Sequence, residues 1–251
     1  MLTYLAGWLM ATFSFMVIAE TAEEKGLEIV READRRDQGF TDSSSSLVMV
    51  LRNKNGETST RAMRSKILET AGDGDKSIFV FDDPLDVKGT ALLTFSHKTG
   101  ADDQWLYLPA LKRVKRISTK NRSGPFMGSE FAYEDMSSQE VEKYRYRYLR
   151  DEVIDGREMF VIEQFPVDKK SGYTRQVVWM GKAHYRPFKV DYYDRKSALL
   201  KTLKLSNYQQ YLDQYWRALQ MDMQNHQTGK STTLEWGEFS FRNGYTDRDF
   251  T

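Results

Sequence analysis

From residue 46 onward the sequence keeps returning to one pattern: a short run rich in Val, Leu, Tyr, Phe and Thr, then a turn signal. Asn53-Lys54-Asn55-Gly56 carries the Asn-Gly pair favoured in tight hairpins, and Ala71-Gly72-Asp73-Gly74-Asp75, Asp155-Gly156, Lys170-Ser171-Gly172 and Thr228-Gly229-Lys230 punctuate the rest. Strands are expected over 46–52, 57–70, 77–81, 90–97, 104–108 and 113–118. After an interruption they resume over 144–153, 159–165, 174–180, 188–193, 200–208, 216–225 and 231–241. Ahead of them, 22–36 reads as one amphipathic helix ending near Gly39: Leu27, Val30 and Ala33 recur at spacings of three, with Ile29 four before Ala33. No stretch resembles an interdomain linker. An antiparallel sheet of this size curls and exposes a concave face that something must cover or fill. The expected fold is therefore mainly β (α+β): a curved antiparallel sheet forming an incomplete β-barrel covered by helices, in a single domain over 20–251.

Composition narrows the function. Hydrophobic residues make up 40% and charged residues 29%, an ordinary globular balance, and 14 Tyr with 14 Phe suit a sheet-rich chain. Lys and Arg total 37 against 36 Asp and Glu, so the net charge of +1 calls for no polyanionic partner, and nucleic acid is not expected. The absence of Cys removes disulfide scaffolds, thiolate metal sites and cysteine nucleophiles. Leu5 to Ile18 is an uncharged apolar run, short for a membrane span of about 20 residues. It ends in Val17-Ile18-Ala19 ahead of polar Glu20-Thr21, which reads as a signal peptide over 1–19 and hence export to the periplasm.

Catalytic signatures are poor. His97, His184 and His226 stand alone in the sequence, without a neighbouring carboxylate or a second His at ligand spacing. Asp82-Asp83 with Asp86 is interrupted by Pro84 and reads as a solvated turn. No glycine-rich phosphate loop, nucleophile elbow or His-Glu-x-x-His occurs, so neither an enzyme nor a cofactor is expected. Leu111-Lys112-Arg113-Val114-Lys115-Arg116-Ile117 is the densest basic block. As a strand it divides its charge between two faces, and it serves equally as an edge guarded against aggregation or as contact for an anionic headgroup or acidic partner. The segment 121–139 breaks the strand pattern. Pro125, Phe126, Met127, Phe131, Tyr133 and Met136 sit there among Gly, Ser and acids, and a loop so apolar must bury them, docked as part of the core or closed over a ligand.

One stretch also resembles a known family. Asp86-Val87-Lys88-Gly89-Thr90 is followed by Asp103-Gln104-Trp105-Leu106-Tyr107-Leu108-Pro109-Ala110 and the basic block, then by Phe126-Met127-Gly128-Ser129 and Tyr133-Glu134-Asp135-Met136. In order and spacing these resemble the outer-membrane lipoprotein-sorting protein family, a LolA-like group of the LolA/LolB superfamily. The resemblance implies an incomplete curved barrel with an apolar cavity under helices. It also implies a carrier of lipid or lipoprotein acyl chains between inner and outer membrane, with an inner-membrane exporter or outer-membrane acceptor as companion. The alternative is a periplasmic sensor or adaptor of a membrane exporter that uses the same fold for protein contact. On the carrier reading, Trp105, Tyr107, Phe126, Met127 and Phe131 line or gate the groove. Met49 and Met63 add adaptable apolar surface, and Arg113 and Arg116 lie on the headgroup or partner side.

Overall fold

The computed structural model describes residues 20–251; the signal segment expected over 1–19 lies outside them. Helix α1 (Ala22–Asp37) starts at a capping box: the Thr21 hydroxyl accepts from the Glu24 N–H at 3.1 Å while the Glu24 carboxylate accepts from the Thr21 N–H at 2.9 Å. Six strands follow, β1 (Asp42–Arg52), β2 (Thr58–Leu68), β3 (Lys76–Asp83), β4 (Ala91–Phe95), β5 (Asp103–Leu108) and β6 (Arg113–Arg116). A long connection with short 3-10 turns leads to β7 (Tyr144–Ile154), β8 (Arg157–Pro166), β9 (Arg175–Gly181), β10 (Arg186–Tyr193), β11 (Leu199–Tyr211), β12 (Tyr215–Asn225), β13 (Ser231–Trp236) and β14 (Ser240–Phe241). The elements expected from the sequence are all present, with one division. The run 231–241 splits into β13 and β14 because its register on β1 shifts by one residue: Trp236 lies opposite Leu47 but Ser240 opposite Ser44, with Gly237 so close to β1 that a Cβ there would lie 2.5 Å from the Ser46 Oγ.

The strands form one antiparallel sheet in the order β6-β5-β4-β3-β2-β1-β13-β12-β11-β10-β9-β8-β7, with β14 beside β1, and the sheet is not closed. The chain thus starts in the middle at β1, meanders out to the edge β6, crosses to the opposite edge β7, and meanders back until β13 pairs with β1. Period-two alternation sends Leu47, Met49, Met63, Phe81, Leu92 and Leu106 inward with Ile162, Val178, Val190, Leu203 and Leu234, and these share one core on the concave face. A smaller cluster of Met159, Val161, Val177 and Trp179 covers the convex side of β8 and β9.

Helix α1 lies on β7 and reaches β12. Its contact with β7 is a backbone approach at buried Gly26, where a Cβ would meet the Tyr148 N at 2.8 Å and the Arg147 backbone at 3.0 Å. Ile29 is buried, and Leu27, Val30 and Ala33 pack on the same core, the stripe read from the sequence. Gly26→Ala should favour the isolated helix yet lift it from β7, lowering stability by about 1–3 kcal/mol. In thermal unfolding the variant is expected to melt several degrees below wild type; an unchanged or higher Tm would show that the helix can shift without loss.

Candidate functional site

The concave face is divided into a filled half and an unfilled half. The 117–143 connection between β6 and β7 fills the first. Phe126 and Phe131 are buried, with Phe126 against Phe81 at 5.8 Å and Tyr133 at 5.6 Å between ring centroids. Its backbone closes on itself through Phe126 N–H to the Phe131 carbonyl at 2.7 Å, and Arg61 donates to the Met127 carbonyl.

Polar contacts then pin this strap to both sides of the sheet. The Gln104 side chain donates to the Tyr133 carbonyl at 2.8 Å. The Glu134 carboxylate accepts from the Ser171 hydroxyl at 2.7 Å and the Gly172 N–H at 2.8 Å. Asp135 accepts from Lys201 at 2.7 Å and from the Tyr173 hydroxyl at 2.9 Å; the Lys201 and Asp135 side chains are only 4% and 7% exposed. Arg122 pairs with Asp168 at 2.6 Å, and Lys143 with buried Asp102 at 2.6 Å. A strap held this way is core, the docked arrangement of the two that the sequence left open.

The other half is a half-open cavity of about 1360 Å³ between α1 and the inner faces of β8 to β12. Ile162, Val178, Met180, Val190, Leu203, Leu205, Ala218 and Met221 form its apolar floor, and Val30 and Ala33 of α1 form its roof. Charged groups ring the mouth. Asp34 and Asp37 on the last turns of α1 face Glu69, Asp73, Asp75 and Glu140, while Arg36, His184, Arg186 and Arg217 stand near the β9–β10 turn and β12. Glu69 is spent on structure, accepting from the N–H groups of Gly39 at 2.7 Å and Thr41 at 2.9 Å just past the helix. Burial pushes the Asp75 carboxyl up to about 7, with the nearby Glu140, Glu69 and Asp37 carboxylates adding to the shift.

The residues singled out in the sequence lie elsewhere. Met49 and Met63 are buried under the strap side, and Phe126, Met127 and Phe131 belong to the strap itself. Trp105 and Tyr107 sit on the convex face of β5, opposite in phase to inward Gln104 and Leu106; Trp105 meets Phe95 edge-on at 5.3 Å. Arg113 and Arg116 are exposed on the edge strand β6, where Arg116 pairs with Asp103. Beside them Leu111 and Val114 are 63% and 64% exposed, so this edge carries an apolar and basic outer patch with Tyr107. None of these residues lines the cavity.

Folding brings to the histidines neighbours that lie apart from them in the sequence. His97 is set between Asp73 at 2.7 Å and Asp103 at 3.4 Å, which raise its pKa, the Asp73 hydrogen bond most strongly. Both ring nitrogens thus face carboxylates, and neither is left to take a proton from a hydroxyl. His226 contacts the Thr202 hydroxyl at 2.8 Å, which in turn donates to Asp191 at 2.7 Å, and His184 lies against Trp216. Among the described residues no cluster of His and carboxylates has the geometry to hold a metal ion, and no helix is long and apolar enough to cross a membrane.

An open antiparallel sheet curled over an apolar cavity, with one helix across the mouth, defines a LolA-like fold. A family model described as that of an uncharacterized protein matches residues 73–251. The chain is 62% identical to an outer membrane lipoprotein-sorting protein domain from Vibrio parahaemolyticus of known crystal structure, covering 91% of this chain and 97% of that one with a TM-score of 0.90. A DUF1329 family protein from Desulfovibrio piger is 30% identical over 92% of this chain and 98% of its own, with a TM-score of 0.87. A LolA superfamily protein from Nitrosomonas europaea shares the fold at 21% identity, with a TM-score of 0.72 over 93% and 98% of the two chains. No curated protein matches. The chain belongs to the outer membrane lipoprotein-sorting protein family, a LolA-like group.

Two outcomes follow from this geometry. Lys201→Met leaves the Asp135 carboxylate buried without its cation, and the loss should be about 3–5 kcal/mol in urea unfolding; a loss below about 1 kcal/mol would mean the strap is not pinned by this pair. Asp75 keeps its proton to a higher pH when folded than the usual carboxyl value of 3.8. The native state then binds more protons than the unfolded state between about pH 4 and 7, so this group makes stability fall as pH rises through that window. Asp75→Asn should flatten that fall and raise the Tm at pH 8; an unchanged pH profile of the Tm would refute the assignment.

Proposed function

We propose that the protein is a periplasmic carrier that binds acyl chains of lipids or lipoproteins in the cavity between α1 and β8 to β12, for transport between inner and outer membrane. The observation that supports this most is the unfilled half of the concave face: an apolar floor and roof enclosing about 1360 Å³, above the ~300–1,000 Å³ common for small-molecule pockets. Each methylene removed from water contributes about 0.8 kcal/mol, so ten would supply roughly 8 kcal/mol before ordering costs. Capture then needs no chemistry on the cargo, and release needs only a competing apolar surface.

The other singled-out residues take supporting places in this reading. Phe126, Met127, Phe131, Met49 and Met63 form the packed end against which a chain stops. Trp105, Tyr107 and Arg116, with exposed Val114, form the outer patch that meets an exporter, an acceptor or an anionic headgroup surface, while Arg113, paired with Leu108, offers its charge on the other face of the same edge. That patch and the strap-filled half are also what the second reading draws on, an adaptor that contacts a membrane partner and carries nothing. The signal segment 1–19 and a single mature domain from Glu20 belong to the same proposal.

Native mass spectrometry of protein exported with its own leader, followed by solvent extraction, tests the reading. A stoichiometric lipid or acylated peptide is expected; a bare mass, with no uptake of fatty acid or phospholipid on titration, would leave the adaptor. Ala218→Phe projects a ring into the cavity and should weaken acyl binding at least ~10-fold with little change in Tm, while Trp105→Ala on the convex face should leave it unchanged. Undiminished binding by the Ala218 variant would move the cargo out of this cavity.

A further inference from the structure

Arg186 differs from every other arginine at the cavity mouth. Arg36 is paired with Glu32 at 2.6 Å, and Arg217 with Asp37 at 2.5 Å. Arg186 makes no ion pair among the described residues. Its guanidinium carbon lies 3.9 Å from the ring centre of Trp216, 4.6 Å from that of Tyr208 and 5.4 Å from that of Phe188. Its Nε and Nη1 are shielded from water and meet no hydrogen-bond acceptor. Ring faces attract the charge, but they do not accept hydrogen bonds as an oxygen does.

The cage is itself built. Phe188 contacts Tyr208 at 5.3 Å between centroids, Tyr208 donates to the Pro187 carbonyl, and Trp216 is backed by His184 at 4.9 Å. The register of β10 against β9 shifts between Pro187 and Lys189, so the start of β10 departs from strict alternation just where Arg186 joins the cavity wall. The result is a preorganised, partly desolvated cation on the rim of an apolar cavity, without a counter-charge from the protein. Burial accordingly lowers its pKa, as expected of a charge that has lost water and gained no anion.

We propose that Arg186 is an anion-binding subsite that takes the carboxylate or phosphate end group of the acyl ligand, orienting it with the head at the β9–β10 rim and the chain along the cavity floor. This rests on the reading that the cavity takes acyl chains and adds the chemical class of the head. A guanidinium fits both anions because its planar N–H edge matches two oxygens at once.

The test uses the mature protein and two probes with the same chain, the fluorescent cis-parinaric acid and its methyl ester, titrated at pH 8. Wild type should bind the acid at least ~10-fold more tightly than the ester. Arg186→Gln should abolish that preference by weakening the acid far more than the ester, and Arg186→Lys should retain part of it. Equal affinity of wild type for acid and ester would overturn the subsite and leave the carrier reading standing; this comparison needs no variant, so a misfolded variant cannot obscure it. Binding of neither probe would overturn both. A preference that survives in folded Arg186→Gln would place the anion elsewhere. Millimolar inorganic phosphate should not displace the acid; if phosphate alone binds in an Arg186-dependent way, the site takes a small free anion and the lipid assignment falls.

Discussion

A chain that runs from the middle of an unclosed sheet to one edge, and must resume at the opposite edge, has to cross a face of that sheet, in this protein the concave one. Here that crossing is the 117–143 strap, and the shape of the interior follows from where it is tied down. Its apolar side chains would be satisfied anywhere on an apolar floor, since burial has no direction. Direction comes from the polar ties: Glu134 to Ser171 and Gly172, Asp135 to Lys201 and Tyr173, Arg122 to Asp168, Lys143 to Asp102. A buried ion pair contributes little to net stability compared with apolar groups of the same volume, but a misplaced strap would leave each partner buried and alone. The ties therefore select one position of the strap, and in doing so leave the α1 side of the barrel unfilled.

What closes that side is a helix with limited freedom of its own. α1 can sit close because Gly26 lets its backbone touch β7, and the chain leaves the helix through N–H groups held by Glu69. Beyond these points the cavity is roofed by side chains as short as Val30 and Ala33. Small residues on the roof and branched or flexible ones on the floor leave room that longer side chains would have taken. The cavity is thus a consequence of residue size on one helix face as much as of sheet curvature.

Much of the fold was legible because its determinants are local. Turn residues and period-two alternation mark each strand, and the stripe Leu27, Val30, Ala33 marks the helix without reference to anything distant. The site was less legible because its determinants are not. Phe126 and Phe131 announce that they must be buried, but whether they bury against Phe81 or against a ligand depends on Lys201, Tyr173 and Gly172, far along the chain. His97 reaches Asp103 only six residues on through the β4–β5 turn and acquires Asp73 through the β3–β4 pairing, neither of which local spacing alone announces. Trp105 and Tyr107 lay in the most recognisable stretch, yet the alternation that buries Gln104 and Leu106 sends them outward; the phase of β5 against its neighbours decides this, and a strand that is apolar on both faces conceals its phase.

Arg186 too owes its character to residues far from it in the chain. In sequence it is one Arg ahead of a proline, Tyr185-Arg186-Pro187, with nothing to separate it from the other cations of the chain. What sets it apart is supplied by three strands at once: Phe188 from β10, Tyr208 from β11 and Trp216 from β12. An arginine that only had to be soluble would gain more by reaching water or a carboxylate, as Arg36 and Arg217 do at the same mouth. Surrounding it with rings lowers its solvation without neutralising it, which raises the attraction it can exert on an anion, such as the head of the proposed acyl ligand. On the proposed carrier reading, the apolar floor and the unpaired cation are two halves of one recognition surface, the first supplying affinity and the second fixing which end of the ligand faces out.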